Sequence, residues 1–521
     1  MSQLTRFELQ LTLSMAQEMR TSMVLIFFLI FLFLQSVFVA HADISCNVLD
    51  FGAKGDGVSY DTPAIQQAID TCSGRINDEE KKNANAMAVI FLPAPGRYLT
   101  GTLFLRSHTI LHISPGATLL GSSSQDHYAA YGSTWYLVLA ANVTDVGITG
   151  SVDTKSYADF DPKTDMGLPG PAHVGATSSN TGAIDGQSSK FVVSFNSIKN
   201  VMVSWNKTGS CSGDECRPRL LGFLDCERIH IWDIQLLNPA YWCTHVVRSN
   251  DVTIHHVSIL GDFDTPNNDG IDIDSSNNTY IYRCKIDTGD DAICPKTYYG
   301  PVHNLTASHC WIRTKSCGVK FGSATYYDFY GIKFNQITIA DSHRGIGLQL
   351  RDSGNIYDVV FSNFNIMTRY YDVSWWGRAE PIYLTSCPRS SSTVAGSIYN
   401  ISFVNITAVS ENGIFMSGKD GGLLRNVVLE NVKLHLHRIT NYTGGLLDYR
   451  PGCQGLVEHQ NSGIFVEQVS GLLLNNVQVF LDPNISTPFV PIDIAPSTLK
   501  ENIKFMNFSL LYQTYALIRQ S

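Results

Sequence analysis

One six-residue pattern recurs down this chain: an apolar residue, two mostly polar ones, an apolar one, a polar one, an apolar one. It reads IWDIQL from Ile231, IHHVSI from Ile254, IYRCKI from Ile281 and FNQITI from Phe334. Further copies are FSNFNI from Phe361, FVNITA from Phe403, LENVKL from Leu429, LNNVQV from Leu474 and FMNFSL from Phe505, with a weaker ASHCWI from Ala307. Successive copies start 23, 27, 26, 27, 27, 42, 26, 45 and 31 residues apart, so most offsets fall in one narrow band. Each copy is too short for a helix, carries β-branched residues and alternates in its second half, which is a strand signature. Short strands at a coil-length period predict an all-β solenoid, a right-handed parallel β-helix. The two long offsets leave room for an inserted loop or a missed coil. The competing reading, a β-sandwich, has turn signals every 8–12 residues but no such register. Asn335, Asn363, Asn405, Asn431, Asn476 and Asn507 sit inside the copies and mark turns where stacked amides share hydrogen bonds.

A short N-terminal helix is expected to cover the end of the solenoid. Asp61-Thr62-Pro63 offers a cap and a first-turn proline, and Ala64, Ile65, Ala68 and Ile69 follow at helical spacing. Before it, Arg6 and Arg20 precede the apolar run VLIFFLIFLFLQSVFVA, and Ala40-His41-Ala42 offers a small-x-small cleavage site. Residues 1–42 therefore read as a removed secretory signal, with an uncleaved anchor as the alternative, and 43–521 as a single β-helix domain. Nine Asn-x-Ser/Thr sequons and twelve cysteines agree with an oxidising, extracellular compartment. Cys211 and Cys216 are the expected local disulfide. The chain is 44% hydrophobic and 16% charged, with net charge −9 and no basic run, which argues for a folded protein that binds no nucleic acid; a monomer without stable membrane insertion is expected.

Two acidic, glycine-bearing segments stand out: PNNDGIDID at 266–274 and TGDDAICPK at 288–296. Asp269 precedes Asp290 by 21 residues and Asp291 by 22, close to one coil. Neighbouring coils lie about 4.8 Å apart, so both clusters can project into one groove. Carboxylates held that close repel, and a raised pKa on one leaves an acid beside a base. Glycoside hydrolysis needs that combination. Spacing alone equally allows a calcium site or a ladder of turn-capping aspartates.

The opening VLDFGAKGDGVSYDTPAIQQAID, the stretch LTGTLFLRSHTILHISPGATLLGS, the GAIDG at 182–186 and RPRLLGFLDCERIHIWDIQLLNPAYW together resemble glycoside hydrolase family 28, the polygalacturonase family, over roughly residues 46–510. The resemblance implies a right-handed parallel β-helix without a cofactor or a metal, secreted to the cell wall, that acts on pectic polysaccharide. Of the family's Asn-Thr-Asp motif, Asn267-Asn268-Asp269 preserves the asparagine and the carboxylate, and Gly-Asp-Asp is matched by Gly289-Asp290-Asp291. The resemblance makes Asp290 the general acid and Asp269 and Asp291 the pair that holds and deprotonates water, in a single inverting displacement. Adjacent coils could hold these carboxyls closer than the usual inverting separation of about 6.5–9.5 Å.

Two motifs depart. Cys317 stands where the family has the histidine of Gly-His-Gly, with Lys320 nearby as a cation facing the cleft. Gly347-Leu348-Gln349 stands where Arg-Ile-Lys grips the substrate carboxylate, leaving Arg351 and Arg344 as candidate replacements. Trp376 and Glu380, in the insertion WWGRAEP, are expected to close one end of the cleft. The departures leave several activities open: polygalacturonase with substituted binders, a rhamnogalacturonan or exo-acting relative, a calcium-dependent lyase, or an inactive pectin-binding wall protein.

Overall fold

The computed structural model describes residues 44–76, 87–151, 175, 181–196, 201–205, 214–418, 424–482, 489–498 and 502–512. Residues 1–42, expected to be a signal, lie outside them, as do the sequons at Asn206 and Asn484. The described chain winds as a right-handed parallel β-helix whose coils stack into a sheet of 22 strands and a facing sheet of 13. Among the described residues no helix is long and apolar enough to cross a membrane.

The ten copies of the repeat stack in one column. Ile231 pairs with Ile254, then Ile281, Ala307, Phe334, Phe361, Phe403, Leu429, Leu474 and Phe505 in unbroken parallel register. The two long offsets are therefore inserted loops, since Phe361 pairs directly with Phe403 and Leu429 with Leu474. The third residue of every copy takes a left-handed conformation, from Asp233 (φ 45°) to Asn507 (φ 60°). That residue is the corner where each coil bends. Asparagine tolerates the conformation best among residues with a side chain, which explains its recurrence. From Asn363 onward the corner amides form a ladder: Asn363 donates to Asn335, Asn405 to Asn363, Asn431 to Asn405, Asn476 to Asn431 and Asn507 to Asn476, at 2.7–3.1 Å. Inside the corner, Phe334, Phe361 and Phe403 stack face to face at 5.3 and 5.0 Å in the continuous core.

Thr62–Arg75 is the expected helix, and it buries Ile65, Ala68, Ile69 and Cys72 against the first coils. Its cap differs from expectation. Asp61 stands at the cap position but makes no side-chain bond to the helix; its carboxylate instead accepts the Lys54 and Gly55 N–H groups at 2.7 and 3.0 Å. Disulfides Cys46–Cys72 and Cys387–Cys453 tie the helix to the first strand and one inserted loop to another. Cys216 is disulfide-bonded, and Cys211, its expected partner, lies outside the described residues.

Candidate active site

The site lies on the 13-stranded sheet, where alternate residues point into the core and out of it. Ile271 and Ile273 pack inward, while Asp272 and Asp274 between them face out. Just before this strand comes Asp269, and just before Ile293–Lys296 come Asp290 and Asp291. Cys317 opens the next strand and Arg344 the one after, with Cys317 and Arg344 in direct register. Backbone bonds from Gly270 N–H to Asp291 O (2.9 Å) and from Ala292 N–H to Cys317 O (3.0 Å) lock these turns together. Four successive coils thus bring Asp269, Asp291, Cys317 and Arg344 to one edge of the sheet, in a pocket of about 540 Å³.

Asp269, Asp290 and Asp291 all line this pocket, yet their surroundings push their carboxyls in different directions. Burial raises the Asp290 carboxyl above its ordinary value, with Asp291 adding repulsion. Its oxygens accept the N–H groups of Asn267 and Asp291, both at 2.9 Å. Burial and then Asp272 and Asp290 raise Asp269 further, and its Oδ1 has no hydrogen-bond partner. Burial also pushes on Asp291, but the Lys320 and Lys296 ammoniums outweigh it and hold the carboxyl below the usual range. Lys320 Nζ lies 2.6 Å from Asp291 Oδ2, while Ser316 donates to Oδ1 at 2.8 Å. The surroundings thus favour ionisation of Asp291 and shift Asp290 and Asp269 toward the protonated form. One buried cluster therefore offers a proton and a base side by side.

Atoms of Asp269, Asp291 and Cys294 lie within 4.8 Å of one another, near enough to ligate a metal ion. Lys296 already brings positive charge there: its Nζ sits 2.8 Å from Asp272, 3.6 Å from Asp269 and 2.8 Å from Cys294 Sγ, over the Trp242 ring. Sequence reasoning missed Lys296 and Asp272. The signal was present, since both stand in the two acidic segments at positions of outward parity.

Asn267 lines the pocket, but its side-chain oxygen is taken by Arg217 at 3.0 Å, and its backbone N–H is the group that serves Asp290. Arg217 is buried and also holds the Ala240 and Pro266 carbonyls, which fixes the turn. Cys317 cannot replace an imidazole as a charged group, because burial and Asp291 push its thiol up to about 12. Arg344 lines the pocket with its guanidinium carbon 3.5 Å from the Tyr383 ring centre. Its Nε and Nη2 have no hydrogen-bond partner although the residue is only 3% exposed. Gly347 leaves space beside it: a Cβ there would meet Cys317 Sγ at 3.0 Å and Arg344 Cδ at 3.2 Å. The glycine that replaces the family's arginine makes room for an arginine from three residues earlier.

Two expectations need correction. Arg351 is not among the residues lining the pocket, whereas Arg389, held by both Asp352 oxygens at 2.8 and 2.9 Å, is. Glu380 does not line it either. It is 2% exposed, accepts the Arg378 N–H at 2.7 Å and faces Arg344 at 3.7 Å, so it backs the arginine rather than closing the cleft. Trp376 does line the wall, 5.6 Å from Lys320 Nζ, beside a buried Trp375 that was not anticipated.

Comparison with known proteins matches residues 140–443, more than half of the chain, to Glycosyl hydrolases family 28. Residues 45–125 match Rhamnogalacturonase A/epimerase, pectate lyase-like. A probable polygalacturonase of Vitis vinifera is 26% identical over 62% of this chain and 61% of its own length. An exo-poly-alpha-D-galacturonosidase of Dickeya chrysanthemi is 27% identical over 47% of this chain and 41% of its own. The chain thus spans less than two thirds of the length of either relative. Among solved structures, the exopolygalacturonase of Thermotoga maritima superposes with a TM-score of 0.55 at 18% identity, covering 84% of this chain and 92% of that one. The family 28 exopolygalacturonase of Yersinia enterocolitica gives 0.58 at 17%, covering 90% and 78%.

Proposed function

The chain belongs to glycoside hydrolase family 28, and from that premise we propose that it is a secreted, single-domain enzyme that hydrolyses α-1,4-galacturonosyl linkages in pectin with inversion. The observation that carries this is the split within one pocket: Asp290 with its carboxyl raised, beside Asp291 held ionised by Lys320. Asp290 gives its proton to the leaving glycosidic oxygen. Asp291 takes the proton of the attacking water, and Asp269 orients that water from the neighbouring coil. General acid and base act in the same step, so no glycosyl-enzyme forms. Asp269 and Asp291, with atoms within 4.8 Å, stand close enough to hold one water between adjacent coils, which supports this division of roles.

The substrate carboxylate is the other half of the reading. Arg344 offers unpartnered N–H groups in the pocket wall, and an arginine fork suits a bidentate carboxylate. It acts in place of the motif lost at Gly347–Gln349. A second reading, release of sugars from the chain end, is favoured by Trp375 and Trp376, which the inserted loop adds to the wall.

Incubation of purified protein with polygalacturonate and with rhamnogalacturonan, followed by sizing of the products, tests the substrate and the mode of attack. Galacturonate released alone indicates chain-end action; a spread of oligomers indicates internal cleavage. Product anomers followed by NMR test inversion. Calcium-dependent ultraviolet absorbance from an unsaturated product would replace the hydrolase with a lyase, and binding without new reducing ends would replace it with a wall-binding protein.

A further inference from the structure

The sequence Thr-Tyr-Tyr occurs twice, at 297–299 and 325–327, one coil apart. The two turns are stacked copies. Thr297 pairs with Thr325 in a parallel bridge, Thr297 O accepts the Tyr326 N–H at 3.1 Å, and Thr297 Oγ1 donates to Tyr327 O at 2.9 Å. Both threonines are fully buried. They pin the turns from below and send all four tyrosines outward, at 53, 52, 40 and 47% exposure for Tyr298, Tyr299, Tyr326 and Tyr327. Solvated tyrosine rings packed together are an uncommon surface unless something covers them. Tyr298 touches Tyr299 at 4.8 Å and Tyr326 at 5.5 Å between ring centres.

This patch is continuous with the acid pocket. Tyr298 and Tyr326 line the pocket and also, with Tyr327 and Ser353, a shallow depression of about 460 Å³ beside it. Two arginines stiffen the patch without leaving free charge. Arg248 lies 4.7 Å from the Tyr299 ring and is held by Asp225 at 2.6–2.7 Å; Arg389 lies 5.8 Å from the Tyr326 ring and is held by Asp352. With these cations neutralised, the surface offers ring faces rather than free charge.

We propose that the duplicated Thr-Tyr-Tyr turns form a stacking platform for sugar units of the bound polysaccharide that lie outside the acid pocket. The platform makes affinity rise with chain length. This rests on the hydrolase reading for the identity of the chain, galacturonan, but not for the stacking itself. Because stacking is uncharged, the gain with length persists at high salt, whereas contacts to carboxylates in the pocket weaken.

The test measures binding of galacturonate dimer and hexamer by calorimetry on the Asp290→Asn protein, whose turnover is slowed by about 10²–10⁴-fold. Hexamer is expected to bind more tightly than dimer, by about threefold to tenfold for each ring engaged. Adding Tyr299→Ala with Tyr327→Ala is expected to bring the hexamer-to-dimer ratio toward one, and Tyr299→Phe with Tyr327→Phe to restore it, since the ring and not the hydroxyl does the stacking. A ratio of one in the parent, or a ratio unmoved by the alanines, overturns the platform. Hydrolysis by the native protein is measured in parallel. Turnover with a ratio of one sinks the platform alone, and a length-dependent ratio without turnover sinks the hydrolase reading alone. A native protein that binds neither ligand overturns both.

Discussion

The two halves of the pocket reached their charge by different routes. On the coils carrying Asp269, Asp290 and Asp291 the family's acidic motifs are present, and the structure assembles them as their spacing implies. On the next two coils the family's histidine, arginine and lysine are replaced by Cys317, Gly347 and Gln349, yet the pocket still holds Lys296, Lys320 and Arg344. Positive charge was rebuilt from other positions. A proton transfer needs particular atoms at particular distances, whereas a carboxylate can be met by any cation that reaches it.

The largest expected effect falls on the preserved half. Asp290→Asn removes the proton donor, and kcat should drop by about 10²–10⁴-fold with KM little changed. Reducing-end assays and calorimetric binding on the same protein check this; near-native turnover would end the assignment.

Lys320→Met probes the joint between the halves. It leaves Asp291 buried without its ion-pair partner, which costs about 3–5 kcal/mol of stability in a denaturant titration. The pH profile should move as well. Activity needs Asp291 ionised and Asp290 protonated, so it fails as pH falls through the lowered Asp291 value and as it rises through the raised Asp290 value. Without Lys320 both carboxyls rise, Asp291 the more because it also loses a hydrogen bond, so the acidic limb shifts to higher pH and the basic limb follows by less.

Arg344→Gln probes the rebuilt half. Loss of a charge-assisted contact worth about 1.5–3 kcal/mol should raise KM on galacturonan by about 10–100-fold while kcat is largely kept. A fall in kcat at constant KM would make Arg344 part of the chemistry instead. Cys317→His restores the family residue and should not help. Cys317 is buried against the Val319 carbonyl at 3.2 Å, and overpacking there should cost about 1–3 kcal/mol without raising turnover. The smallest effect is expected at Arg351→Gln, which should change KM by less than about twofold, since this side chain does not line the pocket.

Much of this was legible before any coordinates. The repeat copies predicted the register residue by residue, because a solenoid contacts only its neighbours and its period is written locally. The capping helix was legible from its spacing, although Asp61 turned its carboxylate to the preceding loop rather than to the helix. Asp269, Asp290 and Asp291 were found through one-coil spacing and motif together. Lys296 was overlooked although it holds an outward position in its strand, because a lone lysine at a strand's end reads as solvated; the stacking of Asp272 and Asp269 beside it shows otherwise.

The sequence by itself determined the coil, the stacking order and the trio of aspartates, since each depends on residues spaced at the period of the solenoid. Tertiary structure alone decided which cations serve the site. Arg344 opens its strand and Arg351 follows that strand's last residue, so seven residues at about 3.3 Å each set them roughly 23 Å apart. The aspartates sit at the opening ends of their strands, so Arg344 stands in their row and Arg351 does not. No one-dimensional signal says where a strand's ends fall relative to its neighbours' turns, or that Gly347 vacates the space Arg344 fills. Those facts come from side chains meeting across coils, and the meeting exists only once the coils are stacked.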